Sequence, residues 1–401
     1  MLHSDILLSI CVPTFNRRFL LERNITFHLE HFRRLSIPFE LVVVDDCSTD
    51  DTADYLALAA GEPEVRVFRR AVNSGFVSNY AFAMRRARGR YALFLGDDDL
   101  LIPEKVADYL ALLESDPGIG VVQAPWMLVD ARQGGGDLGT FYQVPQPVRH
   151  ARGDFRALLD FVFDHHVFPE FMIVRRDVLA KSVSGTTPFI FWAYLFTARA
   201  LEVADVLFAP EPFARVTVAS DDPRLQQGNR ECMFEWDRYR GGLEYLAARM
   251  WRGEEPDEAQ RRHITDHITD FMLIRQSVAL DLHLEAGNWA EAYILYHRMA
   301  ACRPLRFPDD MLRTVGKMAG IATAASEAAA FAALPAVVDP LMTDALISRL
   351  PASVREGLTR DLPAPGDTRA RAWLRVSPGF GEPLREGDAA FDIPDYVAQF
   401  G

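Results

Sequence analysis

Leu7-Leu8-Ser9-Ile10-Cys11-Val12, running straight into Pro13-Thr14-Phe15-Asn16-Arg17, is the stretch on which the fold turns. A short, almost wholly apolar run closed by a proline reads as a strand buried on both faces. Such a strand belongs to a parallel sheet with helices above and below it. The same unit recurs downstream. A helical pattern from about Arg18 to Arg34 leads to Leu41-Val42-Val43-Val44, then to a helix from about Thr52 to Ala60 and the strand Val65-Arg66-Val67-Phe68. A helix from about Ser78 to Arg88 precedes Tyr91-Ala92-Leu93-Phe94-Leu95, and one from about Pro103 to Glu114 precedes Gly120-Val121-Val122-Gln123. Alternation at this spacing predicts an α/β fold with a mostly parallel sheet.

The 401 residues suit two domains, and 49% hydrophobic with 25% charged residues is the composition of a chain with a substantial core. Disordered, collagen-like and coiled-coil classes are excluded. Lys and Arg number 43 against 56 Asp and Glu, a net charge of −13. That balance argues against a nucleic-acid partner, which needs a basic footprint. Cys11, Cys47, Cys232 and Cys302 lie too far apart for a zinc site or a disulfide framework, and suit a reducing compartment. The beginning, Met1-Leu2-His3-Ser4-Asp5, has no basic leader or cleavage site. No uncharged apolar run reaches ~18 residues; Ala319 to Val338 is broken by Glu327 and Pro335 and reads as a buried helix. A cytoplasmic protein is expected.

Residues 126–222 read as hairpins, loops, a helix from about Asp154 to Phe163 and a strand near Phe171 to Val174. Residues 223–361 read as a helical C-terminal domain, and 362–401 as a Pro/Gly-rich tail. Ala286-Gly287-Asn288-Trp289-Ala290-Glu291-Ala292-Tyr293 resembles part of a tetratricopeptide helix pair, but it occurs once, whereas a solenoid needs a period.

In open α/β sheets ligands bind beyond the carboxyl ends of the strands. Three such ends are polar here: Pro13-Thr14-Phe15-Asn16-Arg17, Asp45-Asp46-Cys47-Ser48-Thr49-Asp50, and Gly96-Asp97-Asp98-Asp99. Three consecutive carboxylates repel one another unless a hard divalent cation, Mg²⁺ or Mn²⁺, joins them. The plainer alternative is a solvated acidic turn before the helix near Pro103.

These motifs, with Asn73-Ser74-Gly75, occur in the order and spacing of a known family. Residues 6–125 resemble the inverting family 2 glycosyltransferases of GT-A fold. Asn73-x-Gly75-x-x-x-Asn79-Tyr80, Gly89-Arg90-Tyr91 and Leu95-Gly96-Asp97-Asp98-Asp99 look closest to its abequosyltransferase-like branch, whose members add sugars to bacterial surface polysaccharides. The resemblance implies a GT-A domain over 1–222, with a nucleotide-sugar half (1–125) and an acceptor half (126–222). It implies that Pro13, Thr14, Asn16, Arg17, Asp45, Asp46, Asn73, Gly75, Asn79 and Asp97 surround the donor. It makes Asp98 the leading cation ligand and catalytic group, with Asp99 beside it. Gly96 stands where the usual Asp-x-Asp begins with an acid.

The family also places a catalytic acid at the start of a helix in the acceptor half. Thr187-Pro188-Phe189-Ile190-Phe191-Trp192-Ala193-Tyr194 offers none. Asp164, His165, His166 and Glu170 are the nearby candidates for general base, each equally readable as a loop residue; Glu170, just before a strand, is taken as the candidate. A catalytically silent nucleotide-sugar-binding scaffold is the competing class. A sugar-phosphate nucleotidyltransferase is set aside, because Pro13 to Arg17 is not its glycine-rich loop. The acceptor implied is a glycan or a lipid-linked saccharide, with a peptide or small natural product the alternative. Peripheral membrane association and homodimerisation through the helical region are further expectations.

Other signals take plain readings. Gly134 to Gly139 is a loop, and the His263, His267, Asp270 face is solvated. Arg85, Arg86, Arg88 and Arg90 end a helix, where cations oppose the dipole. Arg215 is open between an acceptor or diphosphate contact and an ordinary strand end; Trp192 and Tyr194 read as core before sugar platforms.

Overall fold

The computed structural model describes residues 6–183, 189–221, 227–252, 255–305, 309–331, 334–377 and 379–400. The chain forms two compact units, residues 1–231 with 235–272, and residues 232–234 with 273–401. The division therefore falls near 272, fifty residues beyond the expected boundary at 222. The reason is that the helical chain after the sheet packs on aromatic residues of the first unit: Tyr239 meets Phe168 and Phe191, and Phe271 meets Phe163 and Phe168.

The first unit begins with β1 (Leu8–Thr14), α1 (Arg18–Arg34), β2 (Phe39–Asp45), α2 (Thr52–Ala59), β3 (Val65–Arg69), α3 (Phe76–Arg85) and β4 (Tyr91–Phe94). After these come β5 (Leu100–Leu101), α4 (Pro103–Ser115), β6 (Ile119–Gln123), β7 (Met127–Asp130), β8 (Asp137–Thr140), β9 (Val148–His150) and α5 (Phe155–His165). The unit continues with β10 (Met172–Arg175), α6 (Arg176–Ser182), α7 (Trp192–Leu201), β11 (Asp205–Phe208), β12 (Ala214–Ala219), α8 (Gln227–Phe234), α9 (Trp236–Met250) and α10 (Glu258–Ala286), the last crossing the division.

The main sheet has the order β3-β2-β1-β4-β10-β6-β11-β9. Every residue of β1 and β2 is buried, as two-sided coverage demands. β3, β2, β1 and β4 are parallel, with Leu8 opposite Phe39 and Tyr91. β10 is inserted antiparallel between β4 and β6. That reversal brings the start of β10 to the carboxyl end of β4, and it matters for the site. A second sheet, β5-β12-β7-β8, flanks the first.

The second unit holds α11 (Trp289–Cys302), α12 (Asp309–Phe331), β13 (Ala336–Val338), α13 (Asp344–Ile347), α14 (Ala352–Arg355), β14 (Leu358–Thr359), β15 (Ala372–Arg375), β16 (Ala389–Asp392) and α15 (Ile393–Ala398). The segment expected as one buried helix thus ends at Phe331, and Ala336–Val338 is a strand. The expected tail is not a tail: β15 and β16 lie in a parallel sheet of order β14-β13-β15-β16. Ala324, Ala325 and Ala328 of α12 and Ala336, Val338, Ala372 and Leu374 of the strands share one core, where small side chains permit close packing. The unit is mainly helical all the same. No described helix is long and apolar enough to cross a membrane.

Candidate active site

The carboxyl ends of β1, β2 and β4 lie side by side, so their polar residues converge. Thr14, the last residue of β1, donates its hydroxyl to Asp97 Oδ2 at 2.7 Å. Arg17 opens α1 and donates from Nη1 to Asp97 Oδ1 at 3.0 Å and Asp98 Oδ2 at 3.1 Å. The backbone N–H of Asn16 donates to Ser48 Oγ at 2.8 Å, and Asn16 Oδ1 accepts from the Thr49 N–H at 2.7 Å. Asn16 therefore ties the loops after β1 and β2 together, while Pro13 sits inside the strand opposite Val44.

Asp45 and Asp46 are fully buried at the end of β2. Asp45 accepts the Ser48 N–H at 2.9 Å and faces Arg69 Nε at 3.2 Å. Asp46 Oδ2 accepts the Ser74 N–H at 2.9 Å, with Arg70 Nε 3.7 Å from Oδ1. Asp46 Oδ1 is a buried acceptor with no hydrogen-bond partner among the described residues, and so is Asn79 Oδ1. Such groups cost about 1–3 kcal/mol unless a ligand completes them. Asn79 Nδ2 bonds Val44 O at 2.9 Å. Asn73 Oδ1 accepts the Gly75 N–H at 2.9 Å, and Gly75 enters α3 at φ +79°, which glycine adopts without strain. Arg69 and Arg70 were missed in the sequence, although they stand at the carboxyl end of the neighbouring strand.

The acidic turn 96–99 follows β4. Gly96 leaves room for the two carboxylates: a Cβ there would lie 2.7 Å from Asp99 Oδ2 and 3.0 Å from Asp98 Oδ1. Burial, opposed by Arg17 and reinforced by Asp98, pushes Asp97 up to about 6. Asp99 is held well above the usual carboxylate range by burial, then by the charges of Asp98, Asp97 and Glu170. Glu170 is thus the base candidate that the fold brings to the acids. Ile173 pairs with Leu93, and the antiparallel register carries the residues before β10 alongside the turn after β4. Two residues missed from the sequence hold this turn. Asn24 Nδ2 donates to Asp99 O at 2.8 Å and Gly96 O at 3.1 Å, and His28 Nε2 accepts the Leu101 N–H at 3.1 Å.

The other base candidates lie elsewhere. Asp164 is exposed, His165 packs on Phe161 with ring centroids at 4.7 Å, and the His166 ring stacks on Phe271 at 4.0 Å. Of Thr187 to Tyr194, Thr187 and Pro188 lie outside the described residues. Trp192 is core against Tyr80, Phe94 and Phe76, and the buried Tyr194 hydroxyl donates to Val167 O. Arg215 makes a two-pronged ion pair with Asp137 at 2.8 and 2.9 Å. Arg86 covers the rings of Phe82 and Phe68, and Arg90 pairs with Glu114.

Among the described residues no group of three His, Cys, Asp or Glu side chains forms a ready-made metal cage. The oxygens of Asp98 and Asp99 still fit a hard cation. They are carboxylates of one turn, and Asp99 sits among like charges with Arg17 the counter-charge nearby. A bound cation would relieve that repulsion.

Residues 9–182 match the family model described as Glycosyl transferase family 2, so this part of the chain is a family 2 glycosyltransferase domain. An uncharacterized glycosyltransferase of Haemophilus influenzae is 30% identical over 143 residues, 35% of this chain and 44% of that one. The poly(ribitol-phosphate) beta-N-acetylglucosaminyltransferase TarS of Staphylococcus aureus is 33% identical over 110 residues, covering 26% and 18%. The abequosyltransferase RfbV of Salmonella typhimurium is 28% identical over 134 residues, covering 33% and 38%. The chain spans less than half the length of these curated relatives. A crystal structure of S. aureus TarS 1-349 in complex with UDP-GlcNAc aligns at TM-score 0.46 and 19% identity, over 78% of this chain and 86% of that one. The mannosyltransferase PcManGT of Pyrobaculum calidifontis, in complex with GDP-Man and Mn²⁺, aligns at 0.44 and 18%, over 75% and 81%.

Proposed function

We propose that this protein transfers a sugar, with inversion, from a nucleoside-diphosphate donor to a hydroxyl acceptor in the synthesis of a bacterial surface polysaccharide. The carrying observation is the meeting of three polar strand ends, with buried acceptors unfilled at Asp46 and Asn79 and an acidic turn short of positive charge. The reading places Asp46, Asn79, Asn73 and Gly75 around the nucleoside, with Pro13, Thr14, Asn16, Arg17, Asp45 and Asp97 shaping the pocket. Asp98 and Asp99 would hold Mg²⁺ or Mn²⁺, which supplies charge stabilisation to the departing diphosphate. Glu170 takes the proton of the acceptor hydroxyl as its oxygen bonds the anomeric carbon and the bond to the diphosphate breaks. Relatives named as a poly(ribitol-phosphate) beta-N-acetylglucosaminyltransferase, an abequosyltransferase and a putative teichuronic acid biosynthesis glycosyltransferase support a glycan or lipid-linked acceptor.

The test is a thermal-shift panel of UDP, GDP, CDP and dTDP, each with and without Mn²⁺. Ligand at ~100 Kd adds about 2.7 kcal/mol to stability, so one nucleotide should raise Tm, more so with Mn²⁺. Asp98→Asn should remove the Mn²⁺ increment. Glu170→Gln should leave the shift intact and lower turnover by roughly a hundredfold or more. No shift with any nucleotide would overturn the donor-site reading, and a shift without transfer to any acceptor would favour the nucleotide-sugar-binding scaffold.

A further inference from the structure

Asn24 and His28, four residues apart, lie on one stripe of α1, and Arg17 stands at the cap of its amino end. Asn24 and His28 are 1% and 0% exposed, in positions where an amphipathic helix would carry apolar residues. Their polar groups are spent on a single segment. Arg17 reaches the carboxylates of Asp97 and Asp98, Asn24 the carbonyls of Gly96 and Asp99, and His28 the N–H of Leu101.

The hydrogen-bond directions are fixed by chemistry. His28 Nε2 accepts from Leu101, so the ring proton is on Nδ1, which points at Asn24 O at 2.7 Å and Asn24 Oδ1 at 3.1 Å. With Oδ1 on that side, both Asn24 Nδ2 protons go to the two carbonyls of the turn. A flipped amide would set oxygen against two oxygens. Burial holds His28 at about 4, so it stays neutral and the arrangement does not alternate near neutral pH.

We infer that Asn24 and His28 are positioning residues for the acidic turn: the α1 stripe splints residues 96–101 so that Asp98 and Asp99 present their oxygens together to a cation. The inference rests on the reading of those two acids as cation ligands. A turn carrying three repelling carboxylates relaxes outward unless its backbone is tied, and the splint supplies those ties without using any carboxylate oxygen of Asp99.

The test uses the full chain. Asn24→Ala should fold, yet its amides at 97–101 should exchange with solvent at least tenfold faster, with β1 and β2 unchanged. The Mn²⁺ concentration giving half of the nucleotide-dependent thermal shift should rise about tenfold, and the shift with nucleotide alone should persist. His28→Gln, which keeps an acceptor for the Leu101 N–H, should behave as the parent, and His28→Leu as Asn24→Ala. Should Asn24→Ala melt broadly, the two His28 variants decide the matter. Unchanged exchange and unchanged Mn²⁺ demand in Asn24→Ala and His28→Leu would overturn the splint. If the parent itself shows no Mn²⁺ increment, the cation reading fails, and the exchange rates alone judge whether the turn is splinted.

Discussion

A methyl group at position 96 meets Asp99 Oδ2 and Asp98 Oδ1 before it meets any backbone atom. The clash lies at the far ends of two side chains, so the fold can absorb it by turning the carboxylates aside. Gly96→Ala should therefore cost less than about 1 kcal/mol of stability and still abolish the Mn²⁺ increment in the nucleotide shift, measured on one sample by thermal melting. Retention of the increment would mean that the two carboxylates do not act together. At this scale the acids were legible, because consecutive carboxylates at a strand terminus break the apolar pattern. Asn24 and His28 were not legible: each takes its turn in a helical period that apolar residues also follow, and only the packed turn shows what they bond. Glu170 was one of several nearby polar residues in the sequence, and the reversed direction of β10 is what singles it out.

Strand ends of the opposite sense are tied by a second polar set. Glu40 of β2 is buried and accepts from Ser9 Oγ at 2.6 Å, Arg66 Nη1 at 2.6 Å and the Arg88 N–H at 2.7 Å, joining β1, β2, β3 and the turn into β4. Glu40→Ala takes an acceptor from three donors at once, although Arg66 Nη1 keeps Arg86 O and the Arg88 N–H keeps Ser9 Oγ. With Arg66 about one-fifth exposed, the loss should be about 2–3 kcal/mol in urea unfolding, while the nucleotide shift survives because these atoms lie at the amino ends of the strands. A lost shift in a folded variant would show that the two sheet edges are coupled. Helices α1, α2 and α4 fall within a residue or so of their sequence reading, since each has a clean apolar period between proline or polar stops. The direction of β10 was not readable, because Met172-Ile173-Val174 is apolar whichever way it runs. Only its pairing with both β4 and β6 fixes the sense.

For the molecule as a whole, the second unit was the least legible part. β13, β15 and β16 are three or four residues long, and proline and glycine fill the sequence between them, so no strand period accumulates. The parallel sheet exists because the alanine face of α12 gives those short strands something to bury against. Every residue assigned to donor, cation or base lies between Pro13 and Glu170, inside the first unit. If each unit opens on its own, a nucleotide bound at that site stabilises one of them only. The check is amide hydrogen exchange on the full chain with the nucleotide that gives a shift, at ~100 Kd. Amides of β1 and β2 that exchange by unfolding of the first unit should slow by about 100-fold, the factor that RT ln(1 + [L]/Kd) prescribes. Amides of β13 and β15, buried in the second core, should exchange at their ligand-free rates. Equal slowing in both sheets would mean that the chain opens as one cooperative body, and that the second unit stabilises the donor site despite lending it no residue.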